Sequence, residues 1–395
     1  MILLSYRYLI VGGGIAADSA IQAIRKIDPS GTIGVICRED HSPYDRPPLS
    51  RSLWFGSNID DIWRNTGNLG ADLYISRTAT TLFPDKRILY DHEGQIYSYE
   101  KLLIATGSNP RQLETDIEDI VYYRNLDDFF KLKALVEKYG HFCVIGGGFI
   151  GTEIAAALVS QKKEVTMIFP EKGILGSILP TTISKQLLTV MKSNGITMVP
   201  EELATGAEKI GREIVIKTNR DTILAFDGVI ASMGTNPETA IASTGGLKLD
   251  GGGGILVDDH LQASKPGVYA AGDVASFPSK TLGSVMRYEH VDNAKAMGAA
   301  AGANMAGGDV AYDYLPEYNS QIFDIQYHAV GDVSARYNYV IDWTDEPTSC
   351  NVYYLVNGRV RGILFWNHRG GIEAARALIA ENKAHNVHTL KGLLP

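Results

Sequence analysis

Cysteine is scarce in this chain of 395 residues: there are three, Cys37, Cys143 and Cys350, far apart and in no CxxC or CxxxxC pattern. That spacing excludes a metal knuckle and a dithiol redox motif, and buried, inert thiols are the expected state of all three. No metal site is expected. Sparse cysteine suits a reducing compartment, so a cytoplasmic location is the expectation. Positive charge is also in deficit, with 37 Lys and Arg against 45 Asp and Glu and a formal net charge of -8. Sequence-independent affinity for a polyphosphate needs clustered cations that release counterions, so nucleic acid is not an expected partner. Apolar runs long enough to span a bilayer are missing as well. MILLSYRYLIV is broken by Ser5 and Arg7 and leads straight into a glycine turn, which makes it a first strand and not a signal peptide.

What the chain does have is ordinary globular composition, 45% hydrophobic and 21% charged, at a length that allows two or three domains. It also has one repeat, YLIVGGGIAAD from Tyr8 and FCVIGGGFIGTE from Phe142. Each reads as an apolar strand, a glycine turn and the start of an apolar-periodic helix. The first unit is strand Tyr8 to Val11, helix Ile15 to Lys26 and strand Thr32 to Cys37, the βαβ half of a dinucleotide fold. Beyond it, alternating runs flank Asp91 to Gly94 like a hairpin, and a third apolar run ends in Ala105-Thr106-Gly107. A helix capped by Asn125, with Asp128 in its first turn, is closed by Gly140. The second βαβ has strands Phe142 to Ile145 and Glu164 to Phe169 around a helix ending near Ser160. Alternating strands begin near Ala311, with Asn357-Gly358 a hairpin signal, and a helix GIEAARALIAEN ends the fold.

The predicted class is α/β: two Rossmann-like dinucleotide-binding domains, the second inserted in the first, plus a C-terminal α+β domain. The boundaries are 1-111 and 237-310 for the discontinuous first domain, 112-236 for the inserted one and 311-395 for the last.

In the first loop Gly12, Gly14 and Ala17 fit GxGxxA, for the tight turn, close approach of a pyrophosphate and helix-strand packing in that order. A diphosphate would sit on the helix N-terminus. Glu39, with Asp40 beside it, stands where a carboxylate would accept ribose hydroxyls. The second loop has Gly146, Gly148 and Gly151, and Glu171 in the corresponding acidic place. A carboxylate there repels a 2′-phosphate, so NADH is preferred to NADPH, with Lys172 next door keeping the alternative open. Two nucleotides in one chain imply a redox relay between a resident flavin and a nicotinamide that comes and goes.

SPYDRPPLSRSLWFG from Ser42, YEKLLIATGSNPR, IGGGFIGTEIA, FPEKGILGSILP, VYAAGDVA and EHVDNAKAMG occur in this order. Together they resemble the apoptosis-inducing-factor and ferredoxin or rubredoxin reductase branch of the two-dinucleotide flavoprotein reductases. The resemblance implies FAD in the first domain, contacted by Gly12, Gly13, Gly14, Glu39, Arg46, Arg51, Ala105, Thr106, Gly107, Asp273, Glu289 and His290, with Ala79 a further candidate. It implies NAD(P)H in the inserted domain, lined by Gly148, Ile150, Gly151, Glu171 and Gly234. Arg51 and Glu153 would pair beside the flavin N5 edge and bracket the hydride path, with Arg here where relatives have Lys. Asp273 would open a helix-start-like turn after GVYAAG. The third domain departs from the family. Glu317 to Asp324 reads EYNSQIFD, with Asn319 and Gln321 where an aromatic and an acidic residue are common; His328 replaces Glu and Ser177 replaces Lys.

The activity implied is an FAD-dependent NAD(P)H oxidoreductase passing electrons from NADH to a small iron-sulfur or rubredoxin-type protein, without a redox-active disulfide. Arg361, Arg369 and Arg376 are candidates for a basic docking patch, and the last domain would cap the flavin and form a homodimer interface. Two alternatives stay open: a peroxide-forming NADH oxidase using dioxygen, and a slowly turning redox sensor like apoptosis-inducing factor.

Overall fold

The computed structural model describes residues 2–394 and divides into two compact units, each assembled from three stretches of chain. The first holds residues up to Asp45, Ile59–Asn109 and Asn236–Tyr318; the second holds Arg46–Asn58, Pro110–Thr235 and Asn319 onward. The class is α/β, as expected.

In the first unit β1 (Leu3–Val11), α1 (Ile15–Ile27) and β2 (Ile33–Ile36) form the expected βαβ. They join β3 (Ala71–Tyr74), β4 (Ala79–Phe83), β5 (Ile88–Asp91) and β6 (Ile96–Ile104) in a sheet of order β3-β2-β1-β6-β5-β4, with the strand Val268–Ala270 added to β6. The hairpin about Asp91 to Gly94 is present. The run expected to follow it is instead the second half of β6. Ile96 to Ser98 pair antiparallel with β5 and alternate in burial, whereas Leu102 to Ile104 lie between two parallel neighbours and are fully buried. One strand thus carries two patterns, and a break was read where only the surroundings change.

Helix α1 packs on the helix Val291–Met305, and glycine sets their separation. A Cβ on Gly298 would lie 2.2 Å from the Ala16 carbonyl oxygen, and one on Gly302 would lie 2.2 Å from that of Ala20. The small residues of AMGAAAGA therefore let two backbones touch.

In the second unit, strands Ile196–Pro200, Glu164–Phe169, His141–Ile145 and Gly228–Ala231 pair in parallel in that order. Three antiparallel strands between Ala204 and Phe226 cover them, sharing a core of Cys143, Ile145, Ile168, Ile214, Ile216 and Phe226. The strand His141–Ile145 is preceded by α2 (Leu126–Lys138), and its glycine loop leads into α3 (Phe149–Ser160). Asn125 caps α2 reciprocally with Asp128, each side chain accepting from the other's backbone N–H at 2.9 Å. Gly140 does not close that helix: the chain leaves through Tyr139 in extended conformation, φ -125°, with no left-handed residue required. Strands Ile325–Gly331, Arg359–Trp366, Ser349–Val356 and Asn338–Asp345 form an antiparallel sheet in that order, joined at one edge by Glu317–Ile322. The hairpin at Asn357-Gly358 has both residues in the left-handed region. The closing helix, Ile372–Ala380, is followed by a short one, Val387–Leu390, that the sequence pattern did not suggest.

Gly298→Ala should force the two helices apart and cost about 1–3 kcal/mol, seen as a lower denaturation midpoint. Gly251→Ala, where an added Cβ meets nothing within 4 Å, is the control and should leave the midpoint in place.

Candidate functional site

In the first unit the motifs converge because β1, β2, β6 and Val268–Ala270 run parallel and end in register, Val11 opposite Ile36 and Ile104, and Ile104 opposite Ala270. Gly12, Cys37, Ala105 and Ala271 therefore share the carboxyl edge of one sheet, where open α/β sheets bind their ligands. Gly12 has φ +116°, and a Cβ there would sit 2.1 Å from the Ala105 carbonyl oxygen. A Cβ on Gly13 would sit 2.0 Å from the Cys37 sulfur. Gly14 differs: nothing lies within 4 Å of its Cβ position, and the first turn of α1 has no side-chain cap. An open glycine before an uncapped helix N-terminus fits a pyrophosphate. Ala17 is fully buried.

Around this edge, Glu39 accepts a hydrogen bond from the Tyr44 hydroxyl at 2.5 Å. Thr106 donates from Oγ1 to the Glu238 carbonyl at 2.6 Å, and Gly107 is left-handed at φ +72°. Asp273 accepts from Ser108 Oγ at 3.0 Å. Its turn leads into the strand Ala275–Ser279 and not into a helix, because Ala275 and Ser276 pair with Ile255 and Leu256. Ala79 opens β4 two residues after Arg77, whose N–H donates to the Cys37 carbonyl at 2.8 Å. His290 precedes the helix Val291–Met305 and stacks on Tyr318, ring centroids 4.3 Å apart at 17°. Burial lowers its pKa, against the pull of Asp273 and Glu289.

Two arrangements here escaped the sequence reading. Arg287 donates to the Asp273 carbonyl at 3.0 Å and to Glu289 at 2.7 Å, tying two expected contacts together. Asp18, fully buried in α1, accepts from Thr66 Oγ1 at 2.6 Å and Arg64 Nε at 2.7 Å, while Arg64 also reaches Asp45 at 2.6 Å. An acidic residue after the glycines was the available signal.

The second unit repeats the cradle. Gly146 has φ +112° and its Cβ would lie 2.1 Å from the Ser232 carbonyl oxygen; Gly151's would lie 2.2 Å from that of Gly146. Gly148 again meets nothing within 4 Å, and α3 has no side-chain cap. Ile150 is 38% exposed in the first turn, Glu171 is half-buried, and Gly234, at φ +86°, accepts from the Arg111 N–H at 2.9 Å. Arg46 belongs to this unit, where its guanidinium donates to the Arg124 carbonyl at 2.9 Å.

One turn into α3, Glu153 is 5% exposed and its carboxylate gathers three hydrogen bonds and one further ion-pair contact. Ser50 Oγ donates to Oε2 at 2.6 Å, and Ser320 Oγ at 2.5 Å and Arg51 Nε at 3.1 Å donate to Oε1, which Arg51 Nη2 also approaches as an ion pair at 2.9 Å. Arg51 Nη2 also donates to the Asn319 carbonyl at 2.8 Å. Ser50 and Ser320 were not anticipated. A buried carboxylate needs its lone pairs filled, and these hydroxyls fill them. Of the other departures, Gln321 is exposed and bonds the Phe323 carbonyl. His328 sits opposite Phe365 in its sheet, and Ser177 accepts from the Ala335 N–H at 2.9 Å.

All three cysteines are buried thiols outside any disulfide. Burial lifts the Cys143 thiol far above its ordinary range and the Cys350 thiol to about 12, so neither supplies a thiolate near neutral pH. Asp258, Asp259 and His260 bring ligand-type atoms within 4.8 Å of one another. His260 is bonded on both ring nitrogens, to Asp259 at 2.7 Å and Asp309 at 2.8 Å, and Lys280 holds Asp259 at 2.8 Å. This is an ion-pair cluster in which Asp259 raises the imidazole's pKa.

Residues 6–298 match the family model described as pyridine nucleotide-disulphide oxidoreductase. The chain is 32% identical to apoptosis-inducing factor 1, mitochondrial, of Dictyostelium discoideum, over 96% of this chain and 79% of that protein. It is 30% identical to monodehydroascorbate reductase 3 of Arabidopsis thaliana, over 95% and 92%. The crystal structure of the ferredoxin reductase for the CYP199A2 system from Rhodopseudomonas palustris superposes with a TM-score of 0.87 at 27% identity, covering 96% of each chain.

Two outcomes follow from these charges. Arg51→Ala leaves the Glu153 carboxylate buried with two hydroxyl donors and should lower stability by about 1–3 kcal/mol, a range reduced for the partial exposure of the guanidinium; chemical denaturation measures it. A raised His260 pKa contributes stability that is complete below the ordinary value of 6.5 and is lost as pH rises through the folded value. The midpoint of the native protein should therefore fall relative to His260→Gln as pH rises above 6.5, and parallel curves would contradict this.

Proposed function

The chain belongs to the pyridine nucleotide-disulphide oxidoreductase family, and from that premise we propose that it oxidises NADH and delivers the electrons singly to a small iron-sulfur or rubredoxin-type protein. Its family and relatives make it an NAD(P)H-dependent FAD oxidoreductase of the ferredoxin reductase, apoptosis-inducing factor and monodehydroascorbate reductase type. The observation that carries the finer reading is the pair of matching open cradles, at Gly14 and Gly148, in a chain whose thiols are all buried. Two nucleotides can be held, and no cysteine is placed to relay electrons.

In this reading FAD occupies the first unit, with Gly12 to Gly14 and Ala17 under the diphosphate, Glu39 on ribose hydroxyls, and Ala79, Ala105, Thr106, Gly107, Asp273, Glu289 and His290 around it. Bound there, it supplies the junction between two-electron and one-electron chemistry. NADH takes the second unit, with Gly148, Ile150 and Gly151 at its phosphates and Gly234 alongside. Glu171 accepts its ribose hydroxyls and disfavours a 2′-phosphate. Arg51 and Glu153 hold a fixed, hydrogen-bonded pair of charges that orients the reacting groups, and Arg46 assists from the same segment. The net change balances as NADH and two oxidised acceptors giving NAD⁺, one proton and two reduced acceptors.

Among the described residues no helix is long and apolar enough to cross a membrane. A cytoplasmic location and a homodimer remain part of the proposal. A second reading, a slowly reduced redox sensor, is favoured by the 32% identity to an apoptosis-inducing factor.

Anaerobic stopped-flow mixing with NADH separates the two. Rapid bleaching of the flavin absorbance, followed by turnover with a ferredoxin or rubredoxin far above the oxygen rate, is the expected result; slow bleaching with a persistent long-wavelength band supports the sensor. Glu153→Ala should slow bleaching by about tenfold or more with FAD retained, and unchanged kinetics would remove its assigned role. Glu171→Ala should lose the preference for NADH over NADPH, measured as the ratio of kcat/KM values.

A further inference from the structure

We propose that Asp18 and Arg64, a buried ion pair at the start of α1, are positioning residues of the first cradle: through Asp45 and Tyr44 they set the place of the Glu39 carboxylate relative to the loop of Gly12 to Gly14. The pair thereby governs how tightly the adenosine end of FAD is held, an inference that rests on the reading of the first unit as the FAD site.

Asp18 lies one turn beyond Gly14, its N–H donating to the Gly14 carbonyl at 3.1 Å. Its carboxylate is fully buried and accepts from Thr66 Oγ1 at 2.6 Å, Gln22 Nε2 at 2.7 Å and Arg64 Nε at 2.7 Å. The same guanidinium donates from Nη1 to Asp45 at 2.6 Å. Arg64 thus bridges the first turn of α1 to the stretch that follows Glu39. There the backbone is paired as well: the Arg64 N–H donates to the Pro43 carbonyl at 3.0 Å, the Asp45 N–H donates to the Ile62 carbonyl at 2.8 Å, and Tyr44 lies opposite Trp63. Tyr44 is 3% exposed, its ring is edge-on to Trp63 with centroids 6.0 Å apart, and its hydroxyl donates to Glu39 Oε2 at 2.5 Å. Polar contacts therefore run, through the single step from Asp45 to Tyr44, from the helix start at the diphosphate site to the carboxylate at the ribose site.

Fastening the 62–70 stretch to α1 does not call for this pair. Arg25, two turns further along the helix, already donates to the carbonyls of Leu69 at 2.7 Å and Gly70 at 2.9 Å. What Arg64 adds is a grip on Asp45, and so on Tyr44 beside it. A buried carboxylate and guanidinium lose their hydration, and apolar packing of similar volume is often as stable or more so. Charges kept in such a place fix a geometry. A planar fork between two carboxylates sets their separation, which a flexible ammonium does not.

The test is the rate of FAD release from the full-length FAD-bound protein, recorded as the rise in flavin fluorescence on dilution, beside thermal denaturation of the same samples. Asp18→Asn should speed release about tenfold or more, and Arg64→Lys, which keeps the charge and loses the fork, should do so comparably. Tyr44→Phe is the milder change and should speed release about threefold or more. The double variant of Asp18→Asn with Tyr44→Phe should release FAD no faster than Asp18→Asn alone, since both act on Glu39 along one path. Arg25→Ala loosens the same stretch elsewhere and should melt lower than the native protein while keeping its release rate. Fold-changes that multiply in the double variant, an equal acceleration in Arg25→Ala, or rates within about twofold of native in both Asp18→Asn and Arg64→Lys would overturn the proposal. Native protein that holds no FAD would instead remove the reading of the first unit on which it rests.

Discussion

Two strands ending side by side, so close that only a residue without a side chain can leave the first of them, is the constraint on which both nucleotide cradles depend. Gly12 under the Ala105 carbonyl and Gly146 under the Ser232 carbonyl meet the same 2.1 Å limit at nearly the same backbone angle. From that approach the rest follows in order. The chain turns sharply, the next helix begins with its N–H groups facing outward, and the second glycine leaves room above them. Conformational freedom at these positions is used to bring backbone against backbone, and the absence of any atom near Gly14 and Gly148 shows where that closeness stops. Close packing and open space therefore divide between two glycines of each loop: the first closes the fold, and the other leaves it open.

The Glu153 arrangement answers a different need. A carboxylate on a buried stretch of helix would be costly alone, and here a guanidinium and a hydroxyl from one segment and a second hydroxyl from another surround it. Since Ser50 and Arg51, Glu153, and Ser320 come from three stretches far apart in sequence, the charge also pins those stretches to each other. The cysteines make no comparable contribution to chemistry. Cys143 fills hydrophobic core, and Cys37 lies against Gly13 as a small packing group.

Much of this was legible because it is local. Glycine spacing, the apolar strand before it and the acidic residue after it are short-range patterns, and so is the Asn125 cap with Asp128 three residues on. What was missed depends on partners distant in sequence. Ser50 and Ser320 are single hydroxyls with no periodicity, and their importance arises only when Glu153 is brought between them. Gly298 and Gly302 look like poor helix formers until Ala16 and Ala20 appear opposite. The break imposed on β6 came from reading a change of neighbours as a change of element. Gly140 was assigned a helix stop from residue type alone, although the chain leaves α2 one residue earlier without needing its freedom. Ser177 and His328 were noted as departures; their sheet and loop contacts give them ordinary structural settings.

The interleaving of the two units has a consequence for how the chain is made. Synthesis delivers β1 and α1 first, yet the outer face of α1 is covered by the helix Val291–Met305, and β6 waits for Val268–Ala270 on its far side. Meanwhile most of the second unit's parallel sheet has left the ribosome and needs none of the later strands to pair. Contacts of such long sequence separation carry a high closure cost and form slowly. The inserted sheet is thus free to organise early, while the first glycine loop, translated before it, gains its complete surroundings only after the later segments have followed.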